Sequence, residues 1–560
     1  MVDEPIGSVV FVLHSHLPWV LGHGHWPHGE AWLHEAAAEC YIPFLRMMDR
    51  IAADAAHARI TVGLTPVLCE SLASPRFREG FLEYLGNRRR LAERDVSQFR
   101  AAGDARSGRL ASAWSDFYTG TEEAFLGAYG GNLISGFRHL QESGHVELIT
   151  SAATHGYLPL LGRDESVAAQ IRAGVASYGR HFGRSPRGIW LPECAYRPRG
   201  TWSRPTGSSR SWMRPGLEEF LAREGLRYFF VDTHLVTGGV PLGTYEDRVP
   251  DRRLDATRAA SGLSPYDVHA LAGGSASNRV AVFARDPRSS VQVWSADYGY
   301  PGDGAYLEFH RKKEQGGLRY WRITDRRLPL DAKIAYDPKE AEERVRAHAS
   351  HFCGLVRETL REHRRATGRA GVIVAPFDTE LFGHWWFEGP RWLEAVLRNL
   401  AGDGSTATAS EALARHPPRS TVTLPEGSWG QGGHHWVWWN DDTRWVWDLV
   451  YRAEDAFLEA LRSAPAGDGA QRVLRQLARE LLLLEASDWP FLITTVSARD
   501  YAEARMRTHM EAFEGLLSLL RRTGTGSLAA RDDSALSELE ARDSMFPDVD
   551  LGWWRGVEAP

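Results

Sequence analysis

Cysteine is scarce in this sequence, and no cysteine motif is present. The 560 residues contain four cysteines, at positions 40, 69, 194 and 353, and no two of them form a CxxC pair. Small disulfide scaffolds and zinc ribbons need closely spaced cysteine pairs, so both classes are excluded. We therefore expect free cysteines and a fold without disulfides.

Long apolar runs and blocks of basic residues are also missing. No run of 18 apolar residues occurs, which is about the length that a membrane helix needs. The N-terminus, MVDEPIGSVVFVLHSH, has acidic residues where a signal peptide would have basic ones. The net charge is −6, and no basic cluster is dense enough to indicate nucleic acid as a ligand. These absences predict a soluble, cytoplasmic protein without membrane or nucleic-acid partners, and they leave its oligomeric state open.

Tryptophan, by contrast, is abundant. The chain has 21 tryptophans, and aromatic residues make up 11% of it. Core packing alone rarely needs so many indole rings, whereas flat apolar rings with one polar group suit the faces of sugars or nucleic-acid bases. Because no basic patch is available to bind phosphates, sugars are the better candidate ligands.

Several short apolar runs end in residues of the types used in catalysis. Examples are SVVFVLHSHLPW, VELITSAATHGYLP, GIWLPECAY and GVIVAPFDTE, with helical segments such as 163–182 and 340–364 between them. This alternation predicts a parallel β/α barrel, in which the loops after the strands form the site. An open doubly wound sheet is the alternative, but its Gly-rich phosphate turn is missing. The residues at these strand ends are His14, His16, Glu70, His155, Glu193, Asp232, His234, Asp378 and Glu380.

The length of the chain indicates more than one domain. An Arg- and Glu-rich helical pattern after the second strand predicts an insertion, and the pattern after residue 430 is helical, with amphipathic stretches at 450–485 and 498–522. Segments rich in Gly, Pro and Ser, at 200–215 and 238–278, are expected to be loops, the second either a lid or disordered. The predicted domains are a catalytic barrel (1–69 and 136–425), a helical insertion (70–135), a C-terminal helical domain (426–525) and a tail (526–560) whose last aromatic residues dock.

Two carboxylates stand at strand ends in aromatic surroundings. Asp378 follows the strand GVIVAPF and precedes two tryptophans, and Glu193 lies in GIWLPECAY between a tryptophan and a tyrosine. Burial beside aromatic rings raises a carboxyl pKa, which suits an acid that must keep its proton near neutrality. Cleavage or transfer of a glycosidic bond needs such a pair. The structural alternatives are a helix N-cap by Asp378 and ion pairs with arginines such as Arg197 or Arg391.

The histidines near the first and third strands allow a metal site as an alternative. In HSHLPW, His14 and His16 alternate along a strand and so point to the same face. With His155 and a carboxylate they could bind zinc. The competing interpretation is that these imidazoles hydrogen-bond sugar hydroxyls or orient a nucleophile, and the absence of cysteine ligands and of an HExxH motif favours it. We therefore expect no metal and no cofactor.

Two Gly-rich segments carry further tryptophans. SWGQGGHHWVWWN places Trp429, Trp436, Trp438 and Trp439 among glycines, a setting that favours a stacking surface over a rigid core. VQVWSADYGYPGDG places Trp294 before a turn whose glycines let the backbone approach a ligand closely. Core packing is the alternative for each of these rings.

Together, several motifs resemble glycoside hydrolase family 57, and in particular its 1,4-α-glucan branching enzymes. The matching segments are FVLHSHLPWV, THGYLPLL, IWLPECAY, VWSADYGYPGD, APFDTELFGHWWFEGPRWLE, SWGQGGHHWVWWN and SDWPFLI, in this order from residue 9 to about 510. The resemblance implies an α/β fold with a distorted (β/α)7 barrel, a small helical insertion and an α-helical C-terminal domain. It also implies donor and acceptor substrates that are both α-1,4-glucans.

The resemblance implies a role for individual residues. Glu193 matches the family's nucleophile and Asp378 its general acid/base. The expected substrate-binding residues, with Trp385 added from the Asp378 motif, are His14, His16, Trp26, His155, Arg285, Trp294, Gly302, Trp385, Trp429, Trp438 and Asp488. Branching enzymes of this family carry a lid loop with a functional tyrosine, for which the 238–278 segment offers Tyr245 and Tyr266.

These roles predict a retaining double displacement, with the two carboxyl groups about 5–5.5 Å apart. The predicted activity is that of a branching enzyme, which cleaves α-1,4 linkages and forms α-1,6 branches. A family 57 amylase or 4-α-glucanotransferase is the nearest alternative. A metal-dependent carbohydrate deacetylase and a non-catalytic glucan-binding protein are alternatives of other classes.

Overall fold

The computed structural model describes residues 6–54, 56–207, 210–238, 261–272, 279–295, 298–314, 316–523 and 528–556. Within these ranges the strands alternate with helices along the first three quarters of the chain. The strands are β1 (Gly7–Ser15), β2 (Ile60–Leu64), β3 (Val146–Ser151), β4 (Ile189–Trp190), β5 (Gly200–Ser203), β6 (Ser211–Arg214), β7 (Tyr228–Val231), β8 (His269–Leu271), β9 (Ala281–Ala284), β10 (Gly371–Asp378) and β11 (Thr421–Val422).

Five parallel strands form a curled sheet in the order β10-β1-β2-β3-β4, and a second sheet has the order β11-β8-β9-β7. The first sheet meets the second at both of its own edges, β4 and β10. A parallel bridge joins Gly188 to Tyr228 beside β4 and β7, and the backbone N–H of Asp286 donates to Val374 O over 2.8 Å between the end of β9 and β10. Seven parallel strands thus surround one axis, as the predicted (β/α)7 barrel requires, with β8 and β11 outside it.

The barrel strands are apolar because both of their faces are covered. All nine residues of β1 and seven of the eight residues of β10 are buried. A strand between two buried faces reads as a continuous apolar run, since no position on it faces water. This explains why VVFVL and VIVAPF are visible as strands in the sequence.

Helices cover the barrel and form the rest of the molecule. Their bounds are α1 (Glu30–Ala36), α2 (Ile42–Ala53), α3 (Pro66–Ala73), α4 (Pro75–Ala101), α5 (Ala105–Glu123), α6 (Leu133–Glu142), α7 (Asp164–Phe182), α8 (Leu217–Arg223), α9 (Thr233–Thr237), α10 (Pro287–Trp294), α11 (Pro338–Thr367), α12 (Gly389–Ala401), α13 (Ala409–Arg415), α14 (Arg444–Ser463), α15 (Asp468–Leu484), α16 (Asp488–Thr495), α17 (Arg499–Arg522) and α18 (Ala530–Arg542).

The insertion between β2 and β3 is a helical hairpin of α4 and α5. The carboxylate of Asp104 caps α5 by accepting from Ser107 N over 2.9 Å. The hairpin contacts the segment before α11: Trp114 Nε1 donates to Arg319 O over 2.7 Å, and Arg88 donates to Gly316 O over 2.6 Å. These bonds hold residues 316–319 against the helical hairpin.

Three elements differ from the sequence-based predictions. The segment 200–215, expected to be a loop, contains the antiparallel hairpin β5–β6, in which Trp202 and Trp212 pack edge to face. The single amphipathic stretch predicted at 450–485 is two helices, because Pro465 and Gly467 separate α14 from α15. Strand β9 was missing from the predicted strands, since four residues are too short to show a period.

The four cysteines are free and buried. Among the described residues no helix has the length and apolar character needed to cross a membrane.

The tail after α17 docks on the barrel and the C-terminal helices. Phe546 and Trp554 are buried, and Trp19 Nε1, in the loop after β1, donates to Arg542 O over 3.2 Å. Next to this bond, His23 Nε2 and Asp543 Oδ1 are 2.6 Å apart, and both side chains are almost fully buried. The tail therefore holds the loop that follows β1, three residues before Trp26.

We predict that Asp543→Ala lowers the free energy of unfolding by about 1–3 kcal/mol, because His23 and Arg542 lose a buried acceptor. The measurement is the urea unfolding midpoint. Glu540→Gln is the matched control in the same tail, since its pair with Arg472 is partly exposed and should change stability by less than about 1 kcal/mol. Equal effects of the two changes would contradict a specific role for the buried pair.

Candidate active site

The carboxyl ends of β1 and β10 bring two predicted site residues side by side. Parallel pairing of these strands places His14 opposite Asp378, and the pairing of β1 with β2 places His14 opposite Gly63. At Gly63 a Cβ would come within 3.6 Å of the imidazole of His14. The register of the sheet thus fixes both side chains at one end of the barrel, where the loops after the strands meet.

His155, from the loop after β3, contacts His14 directly. Their Nε2 atoms are 3.0 Å apart, and the ring of His14 also stacks on that of Trp190, with centroids 5.0 Å apart. Burial lowers the pKa of both histidines well below the ordinary value, and the neighbouring His16 lowers both further. The two imidazoles are therefore neutral near pH 7 and can each donate and accept one hydrogen bond.

Glu193 lies in a strained turn directly after β4. Its backbone has φ 61° and ψ 25°, and Cys194 follows with φ 49°. His155 has φ 59°. Left-handed conformations are unfavourable for residues other than glycine and are typical of functional sites, where the surrounding structure enforces them.

Two donors hold the carboxylate of Glu193. Trp429 Nε1 donates to Oε2 over 2.8 Å, and Ser487 Oγ donates to Oε1 over 3.4 Å. His155 Nδ1 is 3.8 Å from Oε1. Burial raises the pKa of Glu193 to about 7, although the bonds from Trp429 and Ser487 oppose the rise. At a pH near 7 a substantial fraction of Glu193 is therefore ionised, and the bonds from Trp429 and Ser487 fix the orientation of its carboxylate.

The surroundings of Asp378 disfavour its ionised form. Burial raises its pKa well above the ordinary value, and the charges of Glu380 and Glu193 raise it further, while Arg285 opposes them. No described residue hydrogen-bonds to its carboxyl, and it makes no N-cap bond to the turn that follows. Asp378 is therefore protonated up to a higher pH than an exposed aspartate.

The charge of Glu193 contributes to the raised pKa of Asp378, after burial and the charge of Glu380. The alternative partners considered for them bind elsewhere: Arg197 donates to Pro215 O, and Arg391 interacts with Glu388 and Glu342. Two carboxyls with raised pKa values and no arginine partner are the arrangement that glycosidic chemistry uses. The separation of about 5–5.5 Å stays a prediction.

His16 differs from its two histidine neighbours. Its Nε2 is 3.0 Å from both carboxylate oxygens of Asp488, at the start of α16. Burial disfavours the charged imidazole, but Asp488 outweighs burial and raises the pKa of His16. His16, His155 and Asp488 have potential ligand atoms within 4.8 Å of one another. A bifurcated hydrogen bond from Nε2–H of a readily protonated imidazole to both oxygens of Asp488 fits this geometry. A metal ion, by contrast, requires a neutral imidazole as ligand.

Two residues that support the site, Ser487 and Tyr41, were not predicted. Ser487 joins His155 to Glu193, since its Oγ is 2.9 Å from His155 Nδ1. Tyr41 donates to Glu380, which also accepts from His16 N over 3.2 Å. The motif SDWPF points to Ser487 only through its neighbour Asp488, and Tyr41 lies in a helix without any local signal.

Aromatic rings form the wall beside Glu193. The ring of Trp429 packs against that of Trp190, with centroids 5.1 Å apart, and faces Trp294 at 6.2 Å. Trp294 Nε1 donates to Pro376 O over 3.4 Å, within β10. These rings keep water away from the two carboxyls, which is why burial dominates both pKa values.

Trp438 departs from its prediction as a ligand-contacting ring. It is 1% exposed and stacks on Tyr157 with centroids 4.5 Å apart, while Trp447 donates to its carbonyl. The Gly-rich loop holds this ring rigidly after all, because the C-terminal helices and the loop after β3 enclose it. Trp438 therefore packs behind the site and supports Tyr157.

Arg285 and Gly302 also have structural roles. Arg285 is buried and pairs with Asp232, with Nε 3.0 Å from Oδ1. Its effect on the site is electrostatic, because its positive charge opposes the rise in the pKa of Asp378. Gly302 ends a short helical turn. In the same segment a Cβ at Gly299 would lie 2.3 Å from Ser295 O, so this glycine allows the chain to approach itself rather than a ligand.

Of the two tyrosines proposed for the lid, the structure describes only Tyr266. Tyr245 is outside the described residues. Tyr266 bonds through its carbonyl to Val372 N near the start of β10, at the opposite end of that strand from Asp378, and its hydroxyl donates to Asp286. Tyr266 therefore supports the amino end of the barrel.

Trp26 and Trp385 both lie on the surface. They are 53% and 54% exposed, and they line the same cleft. Their predicted role in substrate binding is compatible with this exposure.

Comparison with known proteins identifies the class to which this fold and site belong. The model of glycosyl hydrolase family 57 matches residues 10–425, and the model of the 1,4-alpha-glucan branching enzyme C-terminal domain matches residues 449–554. The chain belongs to glycosyl hydrolase family 57.

Individual relatives of this chain within the family are branching enzymes and an alpha-amylase. A 1,4-alpha-glucan branching enzyme of Thermococcus kodakarensis is 45% identical over 98% of this chain and 78% of its own. The crystal structure of a family 57 branching enzyme from Pyrococcus horikoshii has a TM-score of 0.87 at 40% identity, covering 99% of this chain and 98% of that one. An alpha-amylase from Thermotoga maritima has a TM-score of 0.79 at 32% identity, covering 99% and 100%.

The pKa values predict a bell-shaped pH dependence of kcat/KM. Activity rises with the ionisation of Glu193, whose pKa is about 7, and falls with the ionisation of Asp378, whose pKa burial raises well above its ordinary value. Trp429→Phe removes a bond that lowers the pKa of Glu193, so the acidic limb should move up by about one pH unit.

Trp294→Phe is the control for this shift, because Trp294 Nε1 bonds to Pro376 O and not to Glu193. It should leave the position of the acidic limb in place, whatever its effect on the rate. An acidic limb that does not move in Trp429→Phe would contradict the assignment of that limb to Glu193.

Proposed function

We propose that this protein is a 1,4-α-glucan branching enzyme that works by retaining double displacement. The observation that carries the proposal is the pair of Glu193 and Asp378, two carboxyls that each lie at or just after the end of a barrel strand and whose pKa values burial raises. One is oriented by donors and the other keeps a proton, so a nucleophile and an acid are both available. The match to the branching-enzyme C-terminal domain supports this activity over others in the family.

In the first half-reaction, a carboxylate oxygen of Glu193 attacks C1 of an α-1,4-linked glucosyl unit. The bond from C1 to the leaving oxygen breaks, and Asp378 transfers its proton to that oxygen. The products are a glycosyl ester on Glu193 and a shortened chain with a free 4-hydroxyl. The hydrogen bond from Trp429 holds the attacking carboxylate in place.

In the second half-reaction, Asp378 is the base. It removes the proton from a 6-hydroxyl of another glucan chain, whose oxygen attacks C1 and releases Glu193. Two inversions at C1 retain the α configuration. Water can attack the same ester, so an enzyme that makes branches must hold the acceptor chain in competition with solvent.

The three histidines line the pocket where sugar hydroxyls would lie. His14 and His155 are neutral and in contact, and His16 carries a partner carboxylate, Asp488. We assign to them the binding and orientation of the glucosyl unit attacked by Glu193. We also propose a cytoplasmic location, which the four free cysteines support.

A deacetylase would instead need a metal at His16, His155 and Asp488, the group with ligand atoms within 4.8 Å. Treatment with a chelator should leave α-1,6 linkage formation unchanged, because protons and the glycosyl group move between carboxyls and hydroxyls alone. Loss of activity on chelation, and its return with zinc, would favour the metal-dependent alternative.

We predict that Glu193→Gln lowers both transfer and hydrolysis by at least about 10³-fold, because an amide cannot form the glycosyl ester. Glu218→Gln is the control, since Glu218 is also a glutamate with a pKa raised by burial but accepts from Tyr196 OH. It should retain most of the activity. Appreciable turnover by Glu193→Gln would overturn the assignment of the nucleophile.

Incubation with amylose tests the reaction itself. We expect α-1,6 linkages, counted by NMR, to exceed the new reducing ends severalfold. A family 57 amylase would give reducing ends without α-1,6 linkages, as the likeness to the Thermotoga maritima enzyme allows. A 4-α-glucanotransferase would give neither, only redistributed α-1,4 chains.

A further inference from the structure

A buried glutamine packs against the strained turn that carries His155. Gln170, on α7, is fully buried, and its side-chain amide faces the loop after β3. Its Oε1 accepts from Thr154 N over 3.1 Å, and its Nε2 donates to Thr154 Oγ1 over 3.0 Å. A Cβ at Gly156 would lie 2.8 Å from Gln170 Cδ. The amide thus lies against both chain neighbours of His155, whose backbone has φ 59°.

The same amide also contacts the C-terminal region. Gln170 Nε2 donates to Glu485 Oε2 over 2.8 Å, and Thr154 Oγ1 donates to Leu482 O. Glu485 is buried and directly precedes the segment 486–488, which supplies the serine and the aspartate of the site. One side chain of the barrel therefore joins the loop after β3 to the end of α15.

Backbone bonds continue this junction up to the catalytic residues. Gly156 and Ala486 form an antiparallel bridge, and Ser487 N donates to His155 O over 3.1 Å. The hydroxyl of Ser487 then lies between His155 Nδ1, at 2.9 Å, and Glu193 Oε1, at 3.4 Å. The pairing of the two segments therefore sets the position of this hydroxyl.

The surroundings of Glu485 favour its neutral form. Burial raises its pKa well above the ordinary value, and the charge of Glu454 raises it further, while the bond from Gln170 opposes the rise. Its second oxygen, Oε1, has no hydrogen-bond partner among the described residues. A protonated carboxyl resembles an amide in shape and charge, so a glutamine at this position can accept the same bond.

We propose that Gln170 and Glu485 are positioning residues, which hold His155 in its left-handed conformation and place the hydroxyl of Ser487 on the carboxylate of Glu193. The inference rests on the proposed function, in which Glu193 is the nucleophile. A residue other than glycine keeps this conformation only where its surroundings enforce it, and the bonds of Gln170 to both segments do so. The pair thereby connects the C-terminal region to the nucleophile.

Kinetics on amylose test the proposal, with the loss of iodine colour as the rate because transfer and hydrolysis both register in it. Gln170→Ala should lower kcat/KM about 10²-fold, since a displacement of catalytic groups by about 1 Å has an effect of that size. The bond from Ser487 lowers the pKa of Glu193. Its loss should therefore move the acidic limb of the pH profile to higher pH.

Gln476→Ala is the matched control for this shift. Gln476 is another fully buried amide, and its Nε2 donates to Glu480, a buried glutamate whose pKa is also raised. This pair lies within the C-terminal helices, so its loss should leave the acidic limb in place even where stability falls. An acidic limb that stays in place in Gln170→Ala, or that moves equally in both variants, would overturn the proposal.

A double-mutant cycle separates positioning from a general loss of stability. Ser487→Ala should lower kcat/KM severalfold in the wild-type background. It should have no further effect in Gln170→Ala, because the bond from Ser487 to Glu193 is already lost there. Effects that simply multiply would show that the two residues act independently and would contradict the proposal.

Variants at Glu485 test the pair even where Gln170→Ala does not fold. Glu485→Gln should keep kcat/KM within about threefold of wild type, because an amide oxygen accepts the bond from Gln170 as a neutral carboxyl does. Glu485→Ala should lower it by about tenfold or more, since the segment that carries Ser487 loses its anchor. Equal losses in the two variants, or none in Glu485→Ala, would contradict the proposed role of Glu485.

Failure of the proposed function is distinguishable from failure of this inference. A wild-type protein that consumes amylose without forming α-1,6 linkages would remove the branching activity alone, and the same kinetics would still judge the pair. The pKa of Glu193, followed by ¹³C NMR, requires no turnover. It should rise in Gln170→Ala and stay unchanged in Gln476→Ala, and an unchanged value in both would overturn the positioning role.

Discussion

The burial of two carboxyl groups at the carboxyl end of the barrel is the constraint on which this site depends. Burial raises the pKa of Glu193 to about 7 and that of Asp378 well above its ordinary value. The negative charge of Glu193 disfavours a second one at Asp378. This repulsion favours a state in which one group is ionised while the other is protonated, and the proposed nucleophile and acid require such a state.

The barrel and the C-terminal helices meet this constraint from different sides. The register of β1 with β10 sets His14 beside Asp378, and a strained turn after β4 aims Glu193. The donors to Glu193 come from outside the strands, namely Trp429 in the Gly-rich loop and Ser487 before α16. The C-terminal region thus completes the pocket and does not simply extend the fold. The tail contributes indirectly, through the pair of His23 and Asp543 that fixes the loop before Trp26.

The sequence predicts the parts of this arrangement that depend on local patterns. Strands β1 and β10 are readable because they are buried on both faces, and Glu193 and Asp378 are readable because they directly follow strands. Contacts between distant segments leave no local trace, so the bond of Ser487 to Glu193 was missed. The same limit explains Trp438, since its surroundings in sequence are glycines while its neighbour in space is Tyr157. The seventh barrel strand, β9, has four residues and no visible period.

The most direct test of the central claim is the titration of the Asp378 carboxyl, followed by infrared or ¹³C NMR spectroscopy with the free enzyme and the Glu193→Gln variant. The account predicts that the pKa of Asp378 falls when the charge at position 193 is removed, while burial still keeps it above that of an exposed aspartate. An unchanged pKa in Glu193→Gln would show that the two carboxyls do not share a pocket and would contradict the account.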